Sequence, residues 1–482
     1  MADTRPRSVH HSRVHTPSSP SRRSENVGIT ASATPGSFAD LGVSKALIDC
    51  LTAQGILEPF PIQTATMRDA LAGRDVLGRG KTGSGKTLAF VLPMLERLSK
   101  SKNHRRPGLP RALILAPTRE LATQIHAVLR PLAAALGMTT ATIFGGVGAA
   151  PQTAALRAGL DVVVACPGRL TDHLDSGHAR LDCVEVTVLD EADHMADLGF
   201  LPAVTKLLQR TPEHSQRLLF SATLDAGVAG LVKKFLHDPV THSVDSEQSP
   251  VSEMVHHVLH VGAEDRFGII VALTAAPGRT MVFTRTKHRA KTLARQLNAA
   301  GVPSVELHGN LAQNARVRNL EAFSTGAATT LVATDIAARG IHVDDVRLVV
   351  HADPPVEHKA YLHRSGRTAR AGASGTVVTI MTDDQVGDVR DLTRKAGIRA
   401  TTTKVHRGHP LLAELAPGGT TPTPVAPHVE VADRPERPRR NDGQRRNDGP
   451  RRTGTGSGTG TGTGTSSSSS RNSRYASPRP SR

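Results

Sequence analysis

Two short runs hold the residue types that phosphate chemistry needs. The first is Gly80-Lys81-Thr82-Gly83-Ser84-Gly85-Lys86-Thr87, a G-x-x-x-x-G-K-T pattern. Glycines at this spacing let backbone N–H groups of Thr82, Gly83, Ser84 and Gly85 converge on phosphate oxygens at a helix N-terminus. Lys86 adds a point charge for β- and γ-phosphates, and the Thr87 hydroxyl can serve Mg2+. The second run is the apolar stretch Val186–Leu189, which ends in Asp190-Glu191-Ala192-Asp193. An acid at the C-terminal end of a buried parallel strand projects into the crevice where ligands bind. Asp190 is therefore expected to hold Mg2+, largely through water, and Glu191 to orient or deprotonate an attacking water.

Such residues work only if strand ends hold them. Apolar runs expected to be strands are Asp75–Gly78, Ala112–Ala116, Ala141–Phe144, Asp161–Ala165, Val186–Leu189 and Leu218–Ser221. A second set is Met281–Thr284, Val305–His308, Thr330–Ala333, Leu348–His351 and Thr376–Ile380. Segments between them, such as Leu88–Leu98 and Lys287–Asn298, carry the i, i+3, i+4 spacing of amphipathic helices. Alternation of helices with fully apolar strands predicts α/β domains with parallel sheets covered on both faces. The polar break 245–250 reads as a linker between a domain at 38–244 and one at 251–400. Residues 1–37 and 401–482 lack hydrophobic period and are expected to be disordered tails.

Charge follows this division. The 482 residues carry a formal net charge of +17, with +3 in residues 1–37 and +8 in 401–482. The 363 residues between hold only +6, so the basicity belongs mostly to the tails. Basic tails suit a polyanion. Aromatics are 2% of the chain, too few for a recognition module built on base stacking. Three separated cysteines imply neither a zinc site nor a disulfide framework and fit a reducing compartment. With no signal-peptide pattern and no long apolar run, the expected location is cytoplasmic, away from membranes.

The two runs together resemble the DEAD-box family of ATP-dependent RNA helicases, within superfamily 2. The resemblance extends from about Phe38 to Gly375 through some ten motifs in the family's order. It implies two tandem RecA-like domains, with ATP and Mg2+ in the cleft between them. Gly55 to Gln63 resembles the adenine-reading motif, with Gln63 on the base and Phe38 covering it; Ile56 and Phe60 depart from the pattern. Thr118 and Arg119, Gly146, and Pro167-Gly168-Arg169 are similar to RNA-contacting loops, although Cys166 replaces a usual threonine. Ser221-Ala222-Thr223 resembles the motif that couples hydrolysis to strand separation through the acids, including Asp193.

In the second half, His363 to Arg370 is similar to the arginine-finger motif. The resemblance gives Arg367 and Arg370 to the γ-phosphate and His363 to coupling. Thr284 and Arg285, Gly309, Gln313, Arg316 and Thr334 fall on RNA motifs, and Gly340 on a nucleotide-sensing motif. His342 and Asn310 stand where the family usually has aspartate, and Ser365 where it has isoleucine. The compact core with a short basic tail resembles the bacterial RhlE-type subgroup. These likenesses imply a monomer that remodels structured RNA held by its backbone, in ribosomal or mRNA-decay complexes. An ATP-controlled RNA clamp and a DNA-directed superfamily 2 translocase remain as alternatives.

Overall fold

In the computed structural model, residues 36–80, 83–244, 254–338, 340–341, 343, 345–369 and 375–418 are described. The expected linker, most of both tails, and Thr82, His342 and Arg370 lie outside the described residues. The first domain contains β1 (Val76–Arg79), β2 (Ala112–Leu115), β3 (Thr140–Ile143), β4 (Val162–Ala165), β5 (Val186–Asp190), β6 (Gln216–Ser221) and β7 (Val240–Ser243). The second contains β8 (Met254–Val261), β9 (Arg279–Phe283), β10 (Ser304–Leu307), β11 (Thr330–Ala333), β12 (Val346–His351), β13 (Gly375–Met381) and β14 (Thr401–Val405).

Their orders are β3-β4-β2-β5-β6-β1-β7 and β10-β11-β9-β12-β13-β8-β14. Adding seven to each label of the first sheet gives the second, so the two domains share one topology. Every pairing is parallel. Parallel strands joined by helices must bury both faces, and alternate residues do so. Val162 and Val164 of β4 enter one hydrophobic cluster while Val163 and Ala165 enter another on the opposite face. In the second domain Leu348 and Val350 of β12 face one cluster and Val349 the other. All chain-end loops after these strands therefore emerge on one rim, where ligands of such sheets bind. Among the described residues, no helix is long and apolar enough to cross a membrane.

The eleven strands read from sequence are found with ends within two residues of expectation. Three more are present: β7, β8 and β14. The last corrects the domain boundary at residue 400. Thr401–Val405 pairs with β8 from Thr401 opposite His257 to Val405 opposite Val261. The helix Pro410–Leu415 follows it and sends Leu412 and Leu415 into the core. Residues 401–418 thus complete the second domain, because an edge strand needs pairing on one side only and tolerates polar residues.

Beneath the second domain's site, β8 and β12 each place one histidine in the core. His256 Nδ1 lies 3.1 Å from the Tyr361 hydroxyl, and His351 Nδ1 lies 3.0 Å from Thr379 Oγ1. The His351 and Tyr361 rings meet edge-on at 4.8 Å. Burial, aided by His257, pushes His256 down to about 4. Burial, aided by Arg364 and His256, drives His351 well below the ordinary histidine range. Both histidines are neutral when folded, whereas the unfolded chain protonates them near its ordinary value of about 6.5. Acid therefore favours unfolding. Stability should be fully present above about pH 6.5 and fall toward about pH 4, by up to about 1.4 kcal/mol per pH unit for each histidine. Thermal melting across this range checks it, and His256→Phe should flatten the slope.

Candidate functional site

β1 runs into the phosphate loop, whose start is anchored by the Gly80 N–H donating to Ser221 O at 3.2 Å. Gly83 and Gly85 have φ of 93° and 86°, the left-handed region that favours glycine. Gly85 caps the helix Lys86–Lys100, and Lys86 Nζ donates to Gly80 O at 2.6 Å. The cradle is closed from the side by the helix Pro61–Leu71. Gln63 accepts from the Phe60 N–H at 3.0 Å and donates through Nε2 to Gly85 O at 2.8 Å. A Cβ on Gly85 would meet Gln63 Nε2 at 2.6 Å and Phe60 Cδ2 at 2.8 Å. Gln63 is thus a buried brace between the loop and its flanking helix.

Phe38 requires correction. It is 3% exposed and packs in the first domain's core with Leu41, Val43 and Leu47. Its ring supports the helix Lys45–Ala53 and offers no face to a base, because an apolar ring gains more from that core than from water. The exposed aromatic beside the loop is Phe60, at 50%.

Across the rim, β5 delivers Asp190 and Glu191 into the protein. Asp190 accepts from the Glu191 N–H at 3.0 Å, and Glu191 occupies the left-handed region at φ 51°. Burial pushes the Asp190 carboxyl up to about 7, with Lys86 opposing and Glu191 and Asp193 adding to the rise. Burial also works to raise Glu191, but the His194 hydrogen bond and the positive Arg367 and Lys86 outweigh it and hold Glu191 at about 2. Asp193 accepts from the Thr223 N–H at 3.0 Å and from its hydroxyl at 3.1 Å. Its own N–H donates to Ser221 Oγ at 3.2 Å, so Asp193, Ser221 and Thr223 form one network.

The residues present fit a magnesium ion. Asp190 and Thr87 offer hard oxygen donors, and a cation would relieve the buried Asp190 carboxylate. Among the described residues no group of three or more His, Cys, Asp or Glu could hold a metal.

From the second domain, Arg367 is buried and donates from Nη1 to Ile341 O at 2.6 Å. His363 accepts from Arg367 Nε through its carbonyl at 3.3 Å. Arg364, which sequence reasoning left without a role, pairs through Nε and Nη2 with Asp335 and lies over the Phe283 ring at 5.3 Å. It locks the helix His358–Ser365 and so sets where Arg367 begins.

The expected RNA residues divide. Thr118 caps the helix Arg119–Ala135. Arg119 lies against Gly146 and donates to Gln313 Oε1 at 3.2 Å. Gln313 and Arg316 then donate to Glu120 at 3.1 and 2.7 Å. These side chains join the two domains to each other, with Glu120 as their shared acceptor, a residue sequence reasoning did not single out. Burial opposes ionisation of Glu120, but Arg316 outweighs it and holds the carboxyl low. Gly340, expected at the nucleotide, packs instead against Thr118 and Leu121, since its lack of a Cβ admits that contact. Thr284 is fully buried and donates to Thr286 O at 3.3 Å. Thr334 binds Leu307 O through its N–H. Pro167 and Gly168 open the helix Pro167–Asp175, and Arg169 Nη1 donates to Val147 O at 3.2 Å. Arg285 and Gly309 are exposed.

Gly85→Ala tests the cradle. A left-handed alanine plus its clash with Gln63 should weaken nucleotide binding at least about tenfold, read with a fluorescent nucleotide, while melting stays cooperative.

Comparison with known proteins agrees with this geometry. Residues 60–230 match the DEAD/DEAH box helicase family and 265–372 the helicase conserved C-terminal domain, together more than half of the chain. DEAD-box ATP-dependent RNA helicase 9, mitochondrial, of Arabidopsis thaliana is 38% identical, over 78% of this chain and 62% of that protein. ATP-dependent rRNA helicase RRP3 of Mycosarcoma maydis is 40% identical, over 76% and 64%. The chain thus spans somewhat under two thirds of these relatives' length. Among solved structures, S. cerevisiae Dbp5 bound to RNA and ADP BeF3 superposes with a TM-score of 0.68 at 26% identity, covering 79% of this chain and 98% of that one. Mss116p bound to ssRNA and AMP-PNP gives 0.69 at 26% identity, over 80% and 82%. Matching domains, shared RecA-like topology and the acids at the end of β5 agree: the chain belongs to the DEAD-box helicases of superfamily 2.

Proposed function

We propose that this protein is an ATP-dependent RNA helicase, coupling RNA-stimulated ATP hydrolysis to local unwinding or remodelling of RNA duplexes and RNA–protein complexes. The observation that carries this reading is that a phosphate loop and two buried acids share one rim of the first domain's sheet, while Gln313 and Arg316 of the second domain clasp Glu120 of the first. A phosphate loop and acids on one rim, with a second domain held against the first, suit phosphoryl transfer that depends on both domains. Relatives bound to RNA with ADP BeF3, and to ssRNA with AMP-PNP, support both ligands.

In this reading the loop's N–H groups and Lys86 hold the β- and γ-phosphates, while Thr87 and Asp190 hold Mg2+ through water. When bound, Mg2+ offsets charge on the phosphate oxygens. Glu191, kept ionised by its surroundings, is a weak base and a permanent hydrogen-bond acceptor. Its role is therefore to aim the attacking water, the positioning that phosphoryl transfer mainly demands. Arg367, with Arg370 as its expected companion, neutralises charge developing on the transferred phosphoryl group. Asp193 with Ser221 and Thr223 links that event to the domain contacts. Arg119, Arg169, Arg285, Gly146 and Gly309 supply phosphate and sugar contacts that are blind to sequence.

The same reading covers a monomer acting in the cytoplasm on ribosomal or mRNA-decay complexes. Three free thiols, Cys50, Cys166 and Cys183, support a reducing compartment. Twelve arginines against five acids in residues 419–482 support an electrostatic tether for RNA.

Glu191→Gln should retain ATP-dependent RNA binding while turnover falls at least about 100-fold, and Arg367→Ala should lower it by roughly 1,000-fold. Equal stimulation of ATPase by RNA and single-stranded DNA would overturn the RNA assignment. Stimulated hydrolysis without strand release would favour a clamp. Removing residues 419–482 should weaken RNA binding and flatten its salt dependence while basal ATPase persists. Loss of basal ATPase would show that the segment does more than tether.

A further inference from the structure

The helix Ala192–Asp197 begins directly after Glu191 and places His194 one turn beyond it, on the same side. His194 is 4% exposed, and its Nδ1 lies 3.1 Å from Glu191 Oε2. The backbone holds both ends of this contact. Glu191 sits at φ 51°, and the His194 N–H donates to Asp193 Oδ1 at 3.0 Å. Asp193 is in turn fixed by Thr223 and Ser221. The ring's other nitrogen, Nε2, is buried with no hydrogen-bond partner. A buried polar atom without a partner costs free energy, so packing alone would favour an apolar residue here.

We propose that His194 is a positioning residue for hydrolysis: its Nδ1–H grips Glu191 Oε2 and so aims the carboxylate at the attacking water. This inference rests on the proposed ATPase reading and adds to it a residue outside the phosphate loop, the acids and the arginine finger. An ionised carboxylate is acceptor-only, which makes Nδ1 the donor. Rotation about the last bond of a glutamate is soft, and one directed hydrogen bond to Oε2 fixes the plane of the group. Once that plane is fixed, so is the direction of the other oxygen. Misplacement of about 1 Å in such a constellation can cost on the order of 100-fold in rate.

The test uses the full-length chain with His194→Phe, which keeps a ring and removes the donor, and His194→Asn, whose amide can donate from nearly the place of Nδ1. His194→Phe should lower kcat of RNA-stimulated ATPase at least about tenfold, with KM for ATP changed less than about twofold. His194→Asn should recover kcat to within about threefold of the parent, although it fills the site less well. In a Glu191→Gln background, His194→Phe should cost nothing further, because the two residues act as one. A His194→Phe enzyme as fast as the parent overturns the proposal. So does an Asn variant as slow as the Phe variant, or losses that multiply in the double mutant. Absence of RNA-stimulated ATPase in the parent would instead defeat the underlying reading.

Discussion

Two adjacent carboxylates at the end of a fully buried strand set the main constraint on this structure. Burial raises the cost of ionising either one, and their mutual repulsion adds to it. The sequence after β5 solves this locally only in part, through His194, so further compensation arrives from elsewhere. Lys86 comes from the helix after β1, His194 from the next helical turn, and Arg367 from the other domain. Glu191 takes most of the benefit and stays ionised. Asp190 is left under-compensated, with its carboxyl near 7. That imbalance is itself chemistry, since the under-compensated acid is the one suited to a cation.

The second domain shows the same architecture with the problem solved internally. β8 corresponds to β1, and Arg266 opens the following helix as Lys86 does in the first domain. β12 corresponds to β5, and Asp353 follows it. Arg266 Nη2 lies 2.5 Å from Asp353 Oδ1, and the Arg285 N–H donates to Asp353 Oδ2 at 2.9 Å. A closed ion pair replaces a cradle, and no run of glycines precedes Arg266. One topology thus holds a ligand site in one copy and a self-satisfied bridge in the other. The second copy exports its charge through Arg367 to its neighbour.

The strands legible in the sequence were those buried on both faces, where Val, Leu, Ile and Ala run together. Those missed have chemical reasons. β8 reads Met-Val-His-His-Val-Leu-His-Val, and its histidines hide an apolar strand because His256 is buried neutral against Tyr361. β7 and β14 are edge strands with polar side chains, paired on one side. The phosphate loop and the acids were legible because both are contiguous in sequence. The Glu120 clasp and the burial of Phe38 were not, since each depends on which distant segment packs opposite. His194 lay within the acidic motif's next turn, yet nothing in a lone histidine distinguishes a grip on Glu191 from a core filler.

Aromatic scarcity limits how this surface can hold a strand. Among the described residues, Phe60 is the only aromatic that is more than a third exposed, and it lies beside the phosphate loop. Phe90, Phe220, Phe283, Phe323 and Tyr361 are all fully buried in the two cores. The described surface away from that loop thus offers no row of exposed phenylalanines or tyrosines on which bases could stack. Under the proposed function, a strand on the described surface is held chiefly by its phosphates and sugars, through helix N-termini, glycine backbones and arginines on the rim. Such contacts read backbone shape rather than sequence. A surface that grips shape can favour one strand conformation over a duplex without knowing which RNA it holds, and that is what local remodelling requires.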